Sequence, residues 1–191
     1  MELIEKKYKK ALSGEETNFL DFSLERFKLR EDFRTKTSWH VPSQSLLNEM
    51  KKYEPLVSVG SGHAYTEALA KRQSVDIIAT DIQPNNNNNW CKGSIYYTAI
   101  EKITARKAVL KYFDRNVFMA WPPYNYPMAT QVAKAMKPGR YLIYVGEPIG
   151  GCTGDDNFFH LLNKDFKKID TKAKVDKWFG IHDYVCVYQK K

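Results

Sequence analysis

Residue types able to do chemistry gather at four places in this chain. The first is Gly60-Ser61-Gly62, directly after the apolar run Leu56-Val57-Ser58-Val59. Glycines there let the backbone turn sharply and let a ligand approach the main chain. A helix starting just beyond would add unpaired N–H groups and a positive dipole end, which suit a carboxylate or phosphate. The second is Asp81, at the end of the next apolar run, Val75 to Ala79. A carboxylate at that strand end can accept from both hydroxyls of an adenosine ribose. The bland alternative for the pair is a tight turn and a loop-capping aspartate.

The third place is Trp121-Pro122-Pro123-Tyr124. Two prolines fix the backbone and remove two donors, making a rigid lip. Tyr124 is then able to stack on a planar group and Trp121 to close a pocket. The fourth runs from Gly146-Glu147 through Gly150-Gly151-Cys152-Thr153-Gly154-Asp155-Asp156. Glu147 stands where a general base would meet a substrate amine or hydroxyl, against the alternative of a solvated loop carboxylate. Asp155 or Asp156 is expected to N-cap the helix that follows. His182-Asp183 invites an acid–base reading. Neighbours in a strand point apart, however, which favours a structural histidine.

These residues need a scaffold, and the pattern supplies one. Leu56 to Val59, Val75 to Ala79, Asn116 to Trp121 and Tyr141 to Val145 read as buried parallel strands. Tyr184 to Tyr188 reads as a last strand, paired with Phe166 to Ile169. Helices are expected over Tyr65 to Arg72, Thr104 to Phe113, Met128 to Met136 and Asn157 to Leu162. Ser43 is a plausible N-cap for another helix, ended by Pro55. Strands alternating with helices mean an α/β fold: a mostly parallel sheet with helices on both faces. All four chemical places then fall at the C-terminal edge of the sheet, where open α/β folds bind ligands. Before this lies polar helical sequence, Glu2 to Leu12 and Glu15 to Phe33, broken at Ser13-Gly14. Residues 1–37 are accordingly expected as a helical extension and residues 38–191 as the main domain. Asn85 to Asn89 form an asparagine run that reads as a solvated loop.

The stretch Leu56 to Glu67 (LVSVGSGHAYTE) resembles the first motif of class I S-adenosylmethionine-dependent methyltransferases, and Asp81 matches their ribose-binding acid. The resemblance runs from about Ser38 to the C-terminus. It implies a Rossmann-like methyltransferase fold, with S-adenosylmethionine held by Gly60, Ser61, Gly62 and Asp81. A nicotinamide enzyme would prefer a third glycine where this chain has His63-Ala64-Tyr65. His63 is read as a solvated loop histidine. The Pro-Pro-Tyr turn resembles the Asp/Asn-Pro-Pro-Tyr motif of amino-group methyltransferases. Its polar first residue is replaced by Trp121, which has no acceptor. Asn125 is the nearby candidate to substitute for it. The resemblance implies an acceptor pocket lined by Trp121, Tyr124 and Glu147, and no metal.

Length and composition set the outer bounds. With 191 residues and 43% hydrophobic content, the chain suits one domain with a sizeable core. The cysteines Cys91, Cys152 and Cys186 are scattered, so neither a zinc site nor a disulfide framework is indicated. A reducing, intracellular and most simply cytoplasmic setting is expected. No apolar stretch reaches membrane-span length. The formal net charge is +8, concentrated in Lys102 to Arg140 and in the tail from Lys164. Such a balance admits nucleic acid as a partner, though the plainer reading is a lysine-rich solvated surface. Three functions remain: a methyltransferase of unknown acceptor, a binding protein on the same fold without catalysis, and a nucleic-acid-binding module.

Overall fold

The computed structural model describes residues 5–12, 19–82 and 96–191. The asparagine run and Cys91 lie outside the described residues, as do the Ser13-Gly14 break and the side chains of Phe19 and Phe22.

The chain forms a Rossmann-like α/β fold around one seven-stranded sheet. In chain order the strands are β1 (Leu56–Val59), β2 (Ile77–Asp81), β3 (Ile100–Lys102), β4 (Asn116–Ala120), β5 (Tyr141–Gly146), β6 (Phe166–Ile169) and β7 (Tyr184–Lys190). Their spatial order is β3-β2-β1-β4-β5-β7-β6. The first five run parallel, and β7 lies antiparallel between β5 and β6. The order reverses between β1 and β4. The crevice at their C-terminal ends is therefore the place where such sheets bind ligands.

The helices are α1 (Lys6–Lys9), α2 (Phe19–Lys36), α3 (Gln44–Lys52), α4 (Tyr65–Arg72), α5 (Ala105–Lys111), α6 (Met128–Ala135) and α7 (Asp156–Asp165). Ser43 caps α3 as expected, its hydroxyl accepting from the Leu46 N–H at 3.1 Å. Thr104 caps α5 in the same way. Asp155 occupies the N-cap position of α7 without capping it. Its carboxylate accepts instead from the Thr130 hydroxyl at 2.7 and 2.9 Å, which ties α6 to the start of α7.

The uninterrupted apolar runs are explained by burial on both faces. Along β4, Val117 and Met119 face a core shared with α5, α6 and α7, while Phe118 faces one shared with α3 and α4. Along β5, Leu142 and Tyr144 alternate with Ile143 and Val145 in the same way. A third cluster gathers Tyr8, Ala11, Phe33, Val41 and Trp178. It packs the N-terminal helices against the segment leading into β7, with Phe33 edge-on to Trp178 at 5.2 Å.

Candidate functional site

The bend after β1 is built by backbone that side chains resist. Gly60 and Gly62 take φ of +70° and +55°, and Ala64 follows at +54°. Gly60 has a second constraint, because a Cβ there would meet Met128 Cε at 2.9 Å. The loop is bonded to the end of β2. The Ser61 N–H donates to the Thr80 carbonyl at 3.0 Å, and the Thr80 N–H donates back to Ser61 Oγ at 3.1 Å. The Gly62 N–H donates to Asp81 Oδ2 at 3.0 Å. The glycine bend and the carboxylate on the neighbouring strand therefore meet.

Below the loop lies a buried acid with no local signature in the sequence. Glu67, on the first turn of α4, is buried and lines the cleft with Ser58 and Ser61. The Ser58 hydroxyl donates to Glu67 Oε1 at 2.5 Å. Burial pushes this carboxyl above its ordinary range, outweighing the hydrogen bonds that favour its charged form. His63 lines the same cleft and is buried rather than solvated. His40 is also buried, with Nε2 at 2.9 Å from Thr66 Oγ1. Burial pushes its imidazole down to about 3, so it stays neutral.

The far wall is Trp121. Its backbone takes φ +49°, which a bulky residue seldom adopts, and its N–H is held by the Val145 carbonyl at 2.8 Å. Its indole Nε1–H donates to Asp183 Oδ2 at 3.0 Å. Asp183 is buried, and its Oδ1 has no partner among the described residues. Desolvation pushes this carboxyl up to about 7, against the pull of the Trp121 N–H. Asp183 thus orients Trp121 and not its neighbour His182. The His182 N–H donates instead to Glu147 Oε1 at 2.9 Å.

Glu147 is buried too, and its other oxygen accepts from the Cys152 N–H at 2.8 Å. Burial alone would raise its pKa. The N–H groups of His182 and Cys152 outweigh that and hold the carboxylate below its ordinary range. Both oxygens are spent on backbone, so Glu147 closes the Gly146–Gly154 loop onto the segment before β7. Thr153 completes this loop, with its hydroxyl within 2.6 Å of the Tyr144 hydroxyl.

The Pro-Pro turn is braced by that same loop, the Gly154 N–H donating to the Pro122 carbonyl at 3.0 Å. The turn carries Tyr124 outward, where it is 65% exposed. Asn125 is exposed as well, and its backbone N–H is bonded to Gly154. Gly60, Ser61, Gly62 and Trp121 line one cleft, whereas Asp81, Tyr124 and Glu147 do not line it.

The N-terminal region enters this cleft directly. Arg34 from α2 and the following Thr37, Ser38, Trp39 and His40 make up its outer wall. The Trp39 indole stacks on Trp121 with centroids 5.2 Å apart and planes 16° from parallel. The Arg34 guanidinium lies over Trp39 at 4.3 Å. What is left open is a cavity of about 40 Å³, against roughly 300–1,000 Å³ for an ordinary small-molecule site.

The basic surface is partly structural. Arg140 is buried and donates to the carbonyls of Val109, Tyr112 and Arg115. Arg115 pairs with Asp76 at 2.7 Å and Lys111 with Glu101 at 2.7 Å. Among the described residues no helix is long and apolar enough to cross a membrane.

No family model matches the chain, and no curated protein matches it. Solved structures do. A magnesium protoporphyrin IX methyltransferase from Synechocystis with bound SAM is 11% identical, with a TM-score of 0.49, over 96% of this chain and 90% of that one. A SAM-dependent methyltransferase from Anabaena variabilis is 8% identical, with a TM-score of 0.48, over 78% of this chain and 84% of that one. A precorrin-6y C5,15-methyltransferase from Geobacter metallireducens is 11% identical, with a TM-score of 0.47, over 85% of this chain and 96% of that one.

Proposed function

We propose that this chain is an S-adenosylmethionine-dependent methyltransferase whose methyl donor is gripped between the Gly60-Ser61-Gly62 bend and Asp81. The observation that carries this reading is the 3.0 Å bond from the Gly62 N–H to Asp81 Oδ2. It brings the glycine turn after β1 and the carboxylate ending β2 together, next to the β1/β4 switch point, an arrangement that suits an adenosine ribose. The donor supplies an electrophilic methyl group. The protein's part is to position it: the main chain of the loop lies against the ligand, Asp81 accepts from the ribose hydroxyls, and Trp121 walls the side on which the acceptor enters. Proximity and alignment supply much of the rate in such a transfer. The loop residues fit the chemistry of the donor, and seating it requires the cavity of about 40 Å³ to widen.

A second reading is a binding protein on the same fold without turnover. The observation favouring it is that Glu147, the carboxylate placed for base chemistry, has both oxygens committed to backbone N–H groups. Calorimetric titration with S-adenosylmethionine and S-adenosylhomocysteine tests the first claim. Saturable heat and a thermal shift are expected for both, and neither at millimolar ligand would contradict it. Radiolabelled methyl transfer to nucleic acid, protein and metabolite pools then separates enzyme from binder.

A further inference from the structure

A second cavity lies between α2 and the segment before β7, and it shares no described lining residue with the cleft at Gly60–Gly62. Its volume is about 180 Å³, and its described walls are Ala11, Arg26, Phe27, Arg30, Trp178 and Phe179. Hydrogen bonds fix the frame. The Phe179 N–H donates to the Ala11 carbonyl at 3.0 Å, Leu12 and Trp178 form an antiparallel bridge, and the Trp178 indole donates to the Trp39 carbonyl at 3.1 Å. A cavity of roughly 150 Å³ can hold benzene. The space here therefore suits a guest of about one ring with a short substituent.

Charge in this cavity is unbalanced at Arg30. A guanidinium carries five N–H donors, yet that of Arg30 makes no hydrogen bond or ion pair among the described residues, and its Nε is buried without a partner. The acids close enough to attract it are engaged elsewhere. Both oxygens of Glu31 accept from Arg34, at 2.5 to 3.1 Å. Asp183 accepts from the Trp121 indole, and desolvation pushes it toward its neutral form. The Trp121 ring lies 5.7 Å from the Arg30 guanidinium, which favours the cation but supplies no acceptor in an N–H plane. Burial pushes Arg30 below its ordinary pKa as a result. The remaining wall is largely apolar, with no acid among its described residues. Phe27 and Phe179 are exposed rings, and Arg26 lies over the Phe179 ring at 4.6 Å. A bare inorganic anion would meet Arg30 but leave these rings in water. An uncharged apolar molecule would cover the rings but leave the cation unpaired. One carboxylate on a small apolar body satisfies both, since a carboxylate takes two N–H groups of one guanidinium.

We propose that this cavity is a binding site for a small organic carboxylate, its head paired with Arg30 and its apolar body against Phe27, Trp178 and Phe179. The site stands apart from the methyl-donor reading, because neither its residues nor its chemistry depend on the glycine loop.

Calorimetry with benzoate, benzyl alcohol and inorganic phosphate tests the site without any methyl donor, so either reading can fail alone. Benzoate is expected to bind saturably, with a dissociation constant of about 1 mM or below. It should bind at least about tenfold more tightly than benzyl alcohol or phosphate. Arg30→Gln should weaken benzoate at least about tenfold, and Phe179→Ala about threefold or more. Lys107→Gln removes the same charge from α5, outside the cavity, and should leave benzoate affinity unchanged. Should Arg30→Gln not fold, Arg30→Lys keeps the charge, loses the planar fork and should still bind benzoate more weakly than wild type. No saturable binding at about 10 mM benzoate would overturn the proposal. So would equal affinity for phosphate or benzyl alcohol, or an equal loss on Lys107→Gln. Undiminished benzoate affinity in the Arg30 or Phe179 variants would overturn it as well.

Discussion

Asp183 and Glu147 are two buried carboxyls at the same edge of the sheet, pushed in opposite directions. For Asp183 the neutral form is favoured in the folded state, at about 7 against roughly 3.9 unfolded. Its contribution to stability is complete below the unfolded value and is lost as pH rises through about 7. Urea unfolding between pH 5 and 8 should therefore show wild type losing roughly 1–3 kcal/mol from this group. Asp183→Asn keeps an acceptor for the Trp121 indole and should flatten that part of the profile. An unchanged slope in the variant would refute the assignment. Glu147 follows the reverse rule: its stabilisation is present above the ordinary carboxylate range and disappears as pH falls through its depressed value. Glu147→Gln turns an amide N–H₂ toward a backbone N–H and should cost about 1–3 kcal/mol in urea titration. A stable, active Gln variant would show that the loop does not depend on this carboxylate. The Trp121–Asp183 pair was not legible in the sequence, because it exists only through the antiparallel β5–β7 register that brings Val145 opposite Val185. Glu67 was hidden for a different reason. An acid on the first turn of a helix reads as a favourable dipole partner, and nothing local reveals that α4 turns this one inward.

At the scale of elements, what was legible had strong local punctuation. α4 and β1 have the bounds that apolar pattern and flanking glycines set, and the expected pairing of Phe166–Ile169 with the last strand is present as β6 against β7. β3 was missed because three residues are too few to show a period. Asp155 has the right residue type at the right place for a cap, but Thr130 offers its hydroxyl from another helix and takes the carboxylate. Ser43 keeps its capping bond although the Ser45 hydroxyl lies 3.1 Å from its own. Ser43→Ala should cost about 1 kcal/mol, through loss of the α3 cap and of the hydroxyl's link to the Lys174 carbonyl. Thermal unfolding would register this as a midpoint lowered by a few degrees, and an unchanged midpoint would mean that α3 is held by packing alone. Its buried face of Leu46, Leu47 and Met50 is the alternative anchor.

Across the whole molecule, the helical extension and the sheet domain share one cleft. Residues 1–37 read from their mixed charges as a helical cap laid over the core, and in the fold Arg34 reaches the cavity and Phe33 packs on Trp178. Only the folded chain shows this, since contacts so distant in sequence leave no periodic trace. The same closure leaves a cavity of only about 40 Å³ beside the glycine loop. Donor binding as proposed depends on the carboxylate opposite the glycine bend. Asp81→Asn retains an oxygen for the Gly62 N–H and removes the charge offered to the ribose. Calorimetric titration of this variant with S-adenosylhomocysteine should show affinity at least about tenfold below wild type, with the ligand-free thermal midpoint within about 2 °C of wild type. Undiminished affinity in a folded Asp81→Asn protein would contradict the account.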